Sequence, residues 1–413
     1  MVTSMNQVPE RSQFRCGIVG GGPAGMMLGV LLARAGVEIL VLEKHADFLR
    51  DFRGDTVHAS TLETIHELGF LDALLERPHH QVRQVRARIG GDDVLLGELS
   101  YLRTRCHFFV HMPQWDFLDF LVQQARRYPA FHIRMQADVT GLIEENGRIV
   151  GIQGNTPEGP FEVFADLVVG ADGRNSVVRE CAGLAVEDVG ASIDSLQIRL
   201  SKHDDDPTFM QYSDRGRALI TVDRGDYWHC GFPVPKGTAE KMRAGGIEEF
   251  RDQILEIAPF FRDRVAELRD WTDVKLLTVR SDRLRRWYRA GVLCIGDAAH
   301  AMSPVGGVGI NLAIQDAVAA ANILAEPLGR RTLRLDHLAR VQRRRLFPTR
   351  LTQRVQSILQ KQLFRGLGKT EPVRLPLPLR LFEGTTIPCR LRTRFIAVGV
   401  RPEHVKTPDA YTR

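Results

Sequence analysis

The N-terminal part of the chain carries two short apolar runs on either side of a segment with helical spacing. Residues 14–19 and 37–42 are short and rich in apolar side chains, which is typical of buried strands. Between them, residues 23–35 place apolar side chains at helical spacing, and Gly36 follows where a left-handed helix cap is favoured. The order strand, helix, strand predicts a βαβ unit, preceded by a polar and irregular tail over residues 1–12.

One further helix and several short strands are predicted in the next part of the chain. The helix covers residues 116–127, where apolar side chains recur every three or four positions. The strands are predicted over residues 131–135, 141–144, 148–153 and 165–170. The pair Asn146-Gly147 lies between two of them and is a typical two-residue hairpin turn.

The pattern changes over residues 185–284, where polar and apolar positions alternate. Residues 195–200, 218–222 and 227–232 alternate most clearly, which predicts an antiparallel sheet with one covered face. Helical spacing returns over residues 312–324 and 335–363, and a proline-rich stretch then leads to a last helical turn or two. The pattern therefore predicts an α/β fold with an inserted, mostly antiparallel sheet and a C-terminal helical region.

Composition narrows the class of protein. The chain has 413 residues with 44% hydrophobic and 26% charged residues, which is typical of a soluble globular protein. The net charge of +6 is mild, and the basic run 343–345 has no interleaved aromatic residues, so a nucleic-acid partner is not expected. The uncharged stretch 16–33 is rich in glycine and split by a turn, so it is not expected to span a membrane.

The six cysteines are scattered and form no CxxC pair. Neither a metal site nor a disulfide framework is therefore predicted. No basic start with a following cleavage site marks a signal peptide, so we expect a cytoplasmic protein.

A glycine-rich turn follows the first predicted strand. In Gly20-Gly21-Gly22-Pro23-Ala24-Gly25, the first glycine allows a tight turn, the third lets the backbone approach a pyrophosphate, and Gly25 permits close helix packing. The helix that follows directs free N–H groups and its positive dipole end at the phosphates. Glu43 ends the second predicted strand at a suitable distance to bind ribose hydroxyls, so these residues predict a dinucleotide site.

A second glycine-rich region comes almost 300 residues later. Gly296-Asp297 follows an apolar run, and a carboxylate at that position can bind a polyhydroxyl chain such as ribitol. The glycine-rich loop 303–309 then leads into a helix near Ile310, whose N–H groups can face an anionic flavin edge. The first region can hold the adenine end of a dinucleotide and the second a flavin end. The distance between the two regions in the chain favours FAD over NAD as the tightly held cofactor.

A third element, 172–179, has the form DGxxSxxR and also follows an apolar strand. With the GxGxxG and GD elements, it resembles the signature set of class A FAD-dependent aromatic hydroxylases, the para-hydroxybenzoate hydroxylase-like family. The resemblance covers residues 13–330. It implies a Rossmann-like FAD-binding domain of the GR2 type, transient binding of NADPH or NADH, and O2 as co-substrate. It further implies oxygen transfer to an aromatic ring through a flavin C4a-hydroperoxide.

The resemblance also implies roles for individual residues. Asp172 and Arg179 would contact both FAD and the nicotinamide cofactor, and Asp297 would contact the ribitol and pyrophosphate. Arg53 would contact the pyrophosphate, whereas Gln114 and Pro304 would lie beside the flavin. The full set of predicted cofactor-binding residues is Gly20, Gly22, Pro23, Ala24, Gly25, Glu43, Lys44, Arg53, Gln114, Val139, Asp172, Gly173, Arg179, Gly296, Asp297, Pro304, Gly307, Gly309, Ile310 and Asn311.

The same resemblance divides the chain into six segments. The FAD-binding domain is predicted in three parts, the substrate domain in two, and a helical region ends the chain. In order, the segments are 1–82 (FAD), 83–106 (substrate), 107–184 (FAD), 185–284 (substrate), 285–345 (FAD) and 346–413 (helical).

No catalytic residue is assigned from the sequence. A base near a phenolic substrate would help, and Tyr212, Tyr227, His229, Arg199, His58 and His107 are the candidates. On strands, such residues more often belong to a packed core or a satisfied surface.

Three functions remain open. The leading one is a monomeric or homodimeric hydroxylase of an aromatic or polyketide-like small molecule. The second is a reductase of the geranylgeranyl-reductase type, which would insert no oxygen. Such reductases have a diagnostic strand with an aromatic residue and a Phe-Pro pair, and residues 227–233 resemble it only in part. The third is a non-catalytic FAD-binding regulator, against which the DG element argues. The tryptophans are isolated, so flavin halogenase chemistry is not expected, nor is the thioredoxin-like domain of phenol-hydroxylase-type relatives.

Overall fold

The computed structural model describes residues 9–49, 56–363 and 386–412. Its α-helices are α1 (Pro23–Arg34), α2 (Ala59–Glu67), α3 (Leu71–Leu75), α4 (Gln114–Ala125), α5 (Val177–Cys181), α6 (Ala239–Ala244), α7 (Gly246–Ile257), α8 (Gly309–Gly329), α9 (Leu335–Leu363) and α10 (Thr386–Ala397). Short 3-10 turns lie between them, among them Gly296–Ala298 and Val305–Gly307.

Within the described residues, the strands form two large and two small sheets. They are β1 (Glu10–Val19), β2 (Ile39–Leu42), β3 (Thr56–Val57), β4 (His80–Val82), β5 (Gln84–Ile89), β6 (Asp92–Glu98), β7 (Phe109–His111), β8 (Phe131–Arg134), β9 (Asp138–Glu145), β10 (Arg148–Thr156), β11 (Gly159–Gly170), β12 (Val186–Asp188), β13 (Ile193–Ser201), β14 (Gln211–Asp214), β15 (Arg217–Asp223), β16 (Tyr227–Pro235), β17 (Lys275–Leu277), β18 (Asp282–Leu284), β19 (Tyr288–Arg289) and β20 (Val292–Cys294).

The first large sheet has the order β19-β20-β11-β1-β2-β8, and β10 and β9 extend from β11 as a meander. The strands β20, β11, β1, β2 and β8 run parallel. Val19 pairs with both Gly170 and Leu42, and Gly170 pairs with Cys294. Four parallel strands therefore end at the same level, so the loops that follow them meet at one edge of the sheet.

Helices α1 and α8 cover this sheet and pack against each other. Every residue from Ala24 to Ala33 in α1 is buried, because the helix lies between the sheet, α8 and α4. Gly36 has φ 78°, which confirms the left-handed cap predicted at the end of this helix.

The second large sheet has the order β17-β13-β16-β15-β14-β5-β6, antiparallel except for the parallel pair β14–β5. Its first five strands come from the inserted region. Helices α6 and α7 pack against this sheet, and the two form a second core that includes Trp228, Phe232, Phe250 and Ile254. A three-stranded sheet has the order β3-β7-β4, and its strands precede the inserted region in the chain.

Three predictions of local structure were wrong. Residues 10–12 were expected in a loose tail, but β1 begins at Glu10 because its ladder with β11 continues to that residue. Helix α7 was missed within the alternating region, although Phe250, Ile254 and Ile257 form its buried stripe. The end of the chain is more than a helical turn or two: α10 has 12 residues.

After α10, the chain returns over the FAD-binding region in non-helical form. Arg34 donates to the carbonyl of Thr407 at 2.7 Å, and Asn322 donates to the carbonyl of His404 at 2.8 Å. The C-terminal segment thus packs against α1 and α8.

Among the described residues, one helical stretch, Val305–Gly329, is long and apolar enough to cross a membrane. Of its most apolar window, 72% is buried inside the protein, as in the core helix of a folded domain.

Candidate active site

Glycine is required for steric reasons at two positions of the turn after β1. Gly20 has φ 103°, and a Cβ there would lie 2.5 Å from the carbonyl oxygen of Ala171. A Cβ on Gly25 would lie 2.0 Å from the carbonyl oxygen of Gly20. At Gly22, by contrast, no atom of the described residues beyond its chain neighbours lies within 4 Å of the Cβ position, so this backbone is accessible to a phosphate on the described side.

Glu43 is buried at the end of β2 and faces the glycine turn. Its carboxylate accepts hydrogen bonds from the backbone N–H of Gly21 at 2.9 Å and of His45 at 3.1 Å. The side chain therefore braces the turn, which places its carboxylate beside the first motif. Lys44, the next residue, is exposed.

Asp172 organises the loop after β11. Its carboxylate accepts from the hydroxyl of Ser176 at 2.5 Å and from the backbone N–H of Val178 at 3.2 Å. Burial raises the pKa of Asp172 above its ordinary value, although these hydrogen bonds oppose the shift. Gly173 has φ 84°, and in the described part of the chain no atom beyond its chain neighbours lies within 4 Å of its Cβ position.

Arg179 is also held by contacts within the protein. Its guanidinium donates to the carbonyl of Arg174 at 2.5 Å and pairs with Asp282 at 3.4 Å. Both side chains of the pair are largely buried. In this arrangement Arg179 fixes the DG loop, and a direct contact with a nicotinamide cofactor stays a prediction.

The GD element lies directly against α1 and α8. Gly296 has φ 58°, and its Cβ position is 3.1 Å from Ala24 Cβ and 3.2 Å from Ala313 Cβ. Its N–H donates to the carboxylate of Asp316 at 3.1 Å. Asp297 is half-buried in the 3-10 turn that follows. The first and last cofactor motifs are thus in contact through Ala24 and Gly296.

A buried ionic network supports the GD element, and sequence reasoning missed it. Asp316 is fully buried in α8 and contacts His300 at 2.5 Å and Arg345 at 2.8 Å. Arg345 also pairs with Glu403 at 3.4 Å, which links the C-terminal segment to the site. The available signal was a single acid within the apolar run of α8.

The glycine loop before α8 is held to the start of α2. The Asn311 side-chain oxygen accepts from the His58 backbone N–H at 2.9 Å and the Thr61 hydroxyl at 2.6 Å. Its amide donates to the carbonyl of Gly307 at 3.3 Å. Pro304 is exposed and Ile310 is half-buried. The Cβ position of Gly309 has no atom of a described residue outside its own helix turn within 4 Å.

The remaining predicted residues lie in three places. Arg53 is outside the described residues. Gln114 is the first residue of α4 and is half-buried. Val139 is buried in β9, two residues after Ala137, whose N–H donates to the carbonyl of Glu43 at 2.9 Å. Val139 therefore lies two residues along the chain from Ala137, which contacts Glu43 at the predicted dinucleotide site.

These features fit FAD. Four register-matched strand ends bring Gly20, Glu43, Asp172 and Gly296 to one edge of the sheet. As far as the described residues go, the space above the backbone is open at Gly22, Gly173 and Gly309, where a ligand can approach closely. Backbone N–H groups at the starts of α1 and α8 suit the anionic parts of the cofactor.

Two of the candidate bases in the inserted sheet are engaged elsewhere. Tyr212 is buried in the second core, and its hydroxyl donates to the carbonyl of Pro207 at 3.1 Å. Burial raises the pKa of Tyr212 further above its ordinary value. Tyr227 lies 3.8 Å from the Arg199 guanidinium, which stacks over its ring.

The candidate histidines differ in environment. His229 Nε2 is 2.8 Å from the side-chain oxygen of Gln197, and His107 is exposed. His58 is 1% exposed and lies beside the glycine loop, with Nε2 at 3.6 Å from the Cβ position of Gly307.

A cavity of 470 Å³ lies between the inserted sheet and the sheet β3-β7-β4. Residues on its walls include His80, Gln81, His111, Phe209, Asp223 and Trp228. His111 pairs with His80 on one side and with Thr56 on the other, and Thr56 lies 3.6 Å from the Cβ position of Gly307. The cavity and the glycine loop therefore flank the same small sheet.

Comparison with known proteins identifies the family of the chain. A family model described as an FAD binding domain matches residues 13–355. The chain belongs to the class A aromatic hydroxylase family. The resemblance predicted from the three motifs is thereby confirmed, and this family member is an FAD-dependent monooxygenase.

Among sequence relatives, the hydroxylase is 31% identical to 6-methylpretetramide 4-monooxygenase of Streptomyces rimosus, over 89% of this chain and 88% of the relative. It spans 56% to 61% of the length of three further curated relatives. It is also 25% identical to digeranylgeranylglycerophospholipid reductase of Methanocella arvoryzae, over 76% of this chain and 78% of the relative.

The fold matches that of p-nitrophenol 4-monooxygenase PnpA from Pseudomonas putida DLL-E4. The TM-score is 0.76 at 18% identity, covering 95% of this chain and 99% of the other. This match confirms the predicted fold class, a Rossmann-like domain with an inserted sheet.

Proposed function

We propose that this hydroxylase uses NADPH or NADH and O2 to add one oxygen atom to an aromatic or polyketide-like small molecule. The observation that carries the proposal is the convergence of the three cofactor motifs and Glu43 at one edge of the parallel sheet. A cavity of ligand size lies across the β3-β7-β4 sheet from the glycine loop. The similarity to a pretetramide monooxygenase over most of both chains supports a polycyclic polyketide-like substrate.

The chain contributes binding, orientation and exclusion of water. Bound FAD would accept hydride and then activate O2 for transfer to an electron-rich ring. Gly20, Gly22 and Gly25 would admit the pyrophosphate, Glu43 the ribose, and Asp297 the ribitol. Asn311 holds the glycine loop against α2 by hydrogen bonds, which would position the flavin end of the site.

The cavity suits a planar ligand with hydroxyl groups. Its volume of 470 Å³ lies within the range of about 300–1,000 Å³ common for small-molecule sites. Phe209 and Trp228 offer aromatic faces, and Asp223 offers a buried carboxylate that Lys202 also binds at 2.8 Å. An acceptor and two aromatic faces together favour a polyphenolic ring system.

The similarity to digeranylgeranylglycerophospholipid reductase supports one alternative function, in which hydride would be transferred from the flavin and no oxygen inserted. The deciding experiment measures NADPH and NADH oxidation with a panel of phenolic and polycyclic compounds under ¹⁸O2. We expect a true substrate to accelerate oxidation and to gain one ¹⁸O atom. A product that is reduced and carries no ¹⁸O would replace this proposal with the reductase.

Removal of the GD carboxylate should release the cofactor. Purified protein should be yellow, and Asp297→Ala should bind FAD about ten- to a hundredfold more weakly, since a hydrogen-bonded carboxylate is lost. Flavin fluorescence after gel filtration measures this. The matched control is Asp336→Ala, which removes an exposed carboxylate paired with Arg343 on α9. Colourless wild-type protein that cannot be reconstituted with FAD would refute the assignment of the site.

A further inference from the structure

Asp223 and His80 bring a carboxylate and an imidazole to the same cavity of 470 Å³. Asp223 ends β15 and pairs with Trp228 of β16, so both side chains lie on one face of the inserted sheet. His80 is the first residue of β4 in the small sheet. Its Nδ1 lies 3.9 Å from the Oδ2 of Asp223. Two different sheets therefore contribute one polar pair to the cavity wall.

Neighbouring groups hold the Asp223 carboxylate in place. Its Oδ2 accepts a hydrogen bond from Lys202 Nζ at 2.8 Å, and its Oδ1 accepts from the backbone N–H of Gly225 at 2.8 Å. The Lys202 ammonium also lies 5.6 Å from the centre of the Trp228 ring. A carboxylate offers about four acceptor positions, so further positions remain for other donors. The side chain is 7% exposed and belongs to the cavity wall, where such a donor can reach it.

The distance between the two side chains fits one bridging oxygen atom. At 3.9 Å, His80 Nδ1 and Asp223 Oδ2 are too far apart for a direct hydrogen bond, which usually spans about 2.7–3.2 Å. An oxygen atom about 2.8 Å from each would form an angle of roughly 90° with the two atoms. Both residues line the cavity, so a ligand bound there can place an oxygen atom between them.

The chemistry of the pair decides which oxygen atom fits. A carboxylate only accepts hydrogen bonds, so the bridging atom must donate its proton to Asp223 and accept from the Nδ1–H of His80. A neutral hydroxyl does both. An ether or ketone oxygen carries no proton to donate, and a phenolate would meet the negative charge of Asp223.

We infer that Asp223 and His80 bind one neutral phenolic hydroxyl of the substrate and so determine specificity at that ring position. Trp228 lies beside Asp223 and offers a flat apolar face to the ring that carries the hydroxyl. Because the carboxylate disfavours ionisation of the bound hydroxyl, this group anchors the substrate and is not the one that activates the ring for oxygen transfer. The inference rests on the proposed function in one respect, namely that the cavity holds the substrate.

Three naphthalene probes test the inference on the wild-type holoenzyme, by calorimetry without NADPH or NADH. 2-Naphthol can donate and accept a hydrogen bond, 2-methoxynaphthalene can only accept, and naphthalene can do neither. We expect 2-naphthol to bind about ten- to a hundredfold more tightly than the other two, because only it gains a hydrogen bond to a charged group. Naphthalene that binds as tightly as 2-naphthol would overturn the inference, because exclusion of the ether would then be steric.

Asp223→Asn and His80→Phe test the two residues. Each variant keeps a side chain of similar shape, and Asp223→Asn leaves only a neutral amide oxygen to accept. We expect each variant to bind 2-naphthol about tenfold more weakly and to bind 2-methoxynaphthalene as the wild type does. A residue that only supported the wall would change both affinities alike. The matched control is Asp226→Asn, an exposed carboxylate in the turn between β15 and β16, which should change neither.

Equal affinities of the wild type for 2-naphthol and its ether would overturn the inference, as would equal losses for both probes in the two variants. If Asp223→Asn does not fold because Lys202 loses its charge partner, His80→Phe decides by the same comparison, since the His80 side chain is half exposed. These experiments measure binding and no turnover. Protein that binds hydroxyls selectively but oxygenates no compound would therefore refute the proposed function alone, and oxygenation without this selectivity would refute the inference alone.

Discussion

Gly25→Ala should destabilise the protein and abolish FAD binding. The added methyl group would lie 2.0 Å from the carbonyl oxygen of Gly20, and backbone cannot rotate away as a flexible side chain can. The glycine turn and α1 must then separate, at a cost of about 3 kcal/mol or more for overpacking. This outweighs the roughly 1 kcal/mol by which alanine is favoured over glycine within a helix. Thermal unfolding and flavin content of the purified variant measure both effects.

Gly22→Ala is the matched comparison in the same turn. Among the described residues, no atom beyond its chain neighbours lies within 4 Å of its Cβ position, so the variant should fold with the stability of the wild type. Its methyl group would occupy the space open to the pyrophosphate, so FAD should still bind more weakly. We therefore expect Gly25→Ala to lose both stability and FAD binding, and Gly22→Ala to lose FAD affinity alone. Equal stability of both variants would show that the close approach at Gly25 can relax.

The cofactor motifs could be predicted from the sequence because their requirements are local. Gly20 needs a positive φ and Gly25 needs a missing Cβ, and both needs follow from the geometry of one strand–turn–helix unit. Glu43 follows from the length of the same unit. The structure shows why each residue type is needed there, although its contact with FAD stays a prediction.

His58 shows what local patterns leave out. In the sequence it was one of several candidate bases, and nothing near it in the chain marks it out. Its environment is made by Asn311 and Ile396, which are 253 and 338 residues away. Its Nδ1 lies 2.8 Å from the carbonyl oxygen of Ile396 in α10, and no spacing rule predicts such a contact.

The inserted region shows a different limit. Alternation over β13, β15 and β16 predicted the sheet correctly, since a covered face requires it. Helix α7 buries Phe250, Ile254 and Ile257 in a narrow stripe among acidic and basic residues. Its identity as a helix depends on the sheet that receives the stripe, so the sequence pattern alone was insufficient.

Asp316→Asn should be the most destabilising loss of a single charge in the FAD-binding region. The Asp316 carboxylate is fully buried and bonds His300, Arg345 and the N–H of Gly296. The variant keeps the shape of the side chain but leaves the buried Arg345 with longer contacts, to the Glu403 carboxylate at 3.4 Å and to the Arg401 carbonyl at 3.4 Å. Loss of one partner of a buried ion pair typically costs about 3–5 kcal/mol. Unfolding in urea, with FAD content of the folded protein as a second readout, measures the effect.

The exposed pair of Asp336 and Arg343 provides the control. Asp336→Asn should change stability by less than about 1 kcal/mol, because water screens an exposed pair. If the two variants proved equally stable, Asp316 would not support the GD element.

The pH dependence of the stability difference tests whether the ionised Asp316 carboxylate is the stabilising group. Burial alone would raise the pKa of Asp316, but the charge and hydrogen bond of His300, together with Arg345, hold it below its ordinary value. Because the folded-state pKa is the lower one, the carboxylate stabilises the protein fully above its unfolded-state pKa of about 3.9. That stabilisation is lost as the pH falls through the folded-state pKa. The stability difference between wild type and Asp316→Asn should therefore be constant from about pH 5 upward and shrink below about pH 4. A difference that did not shrink below about pH 4 would contradict this assignment to the carboxylate.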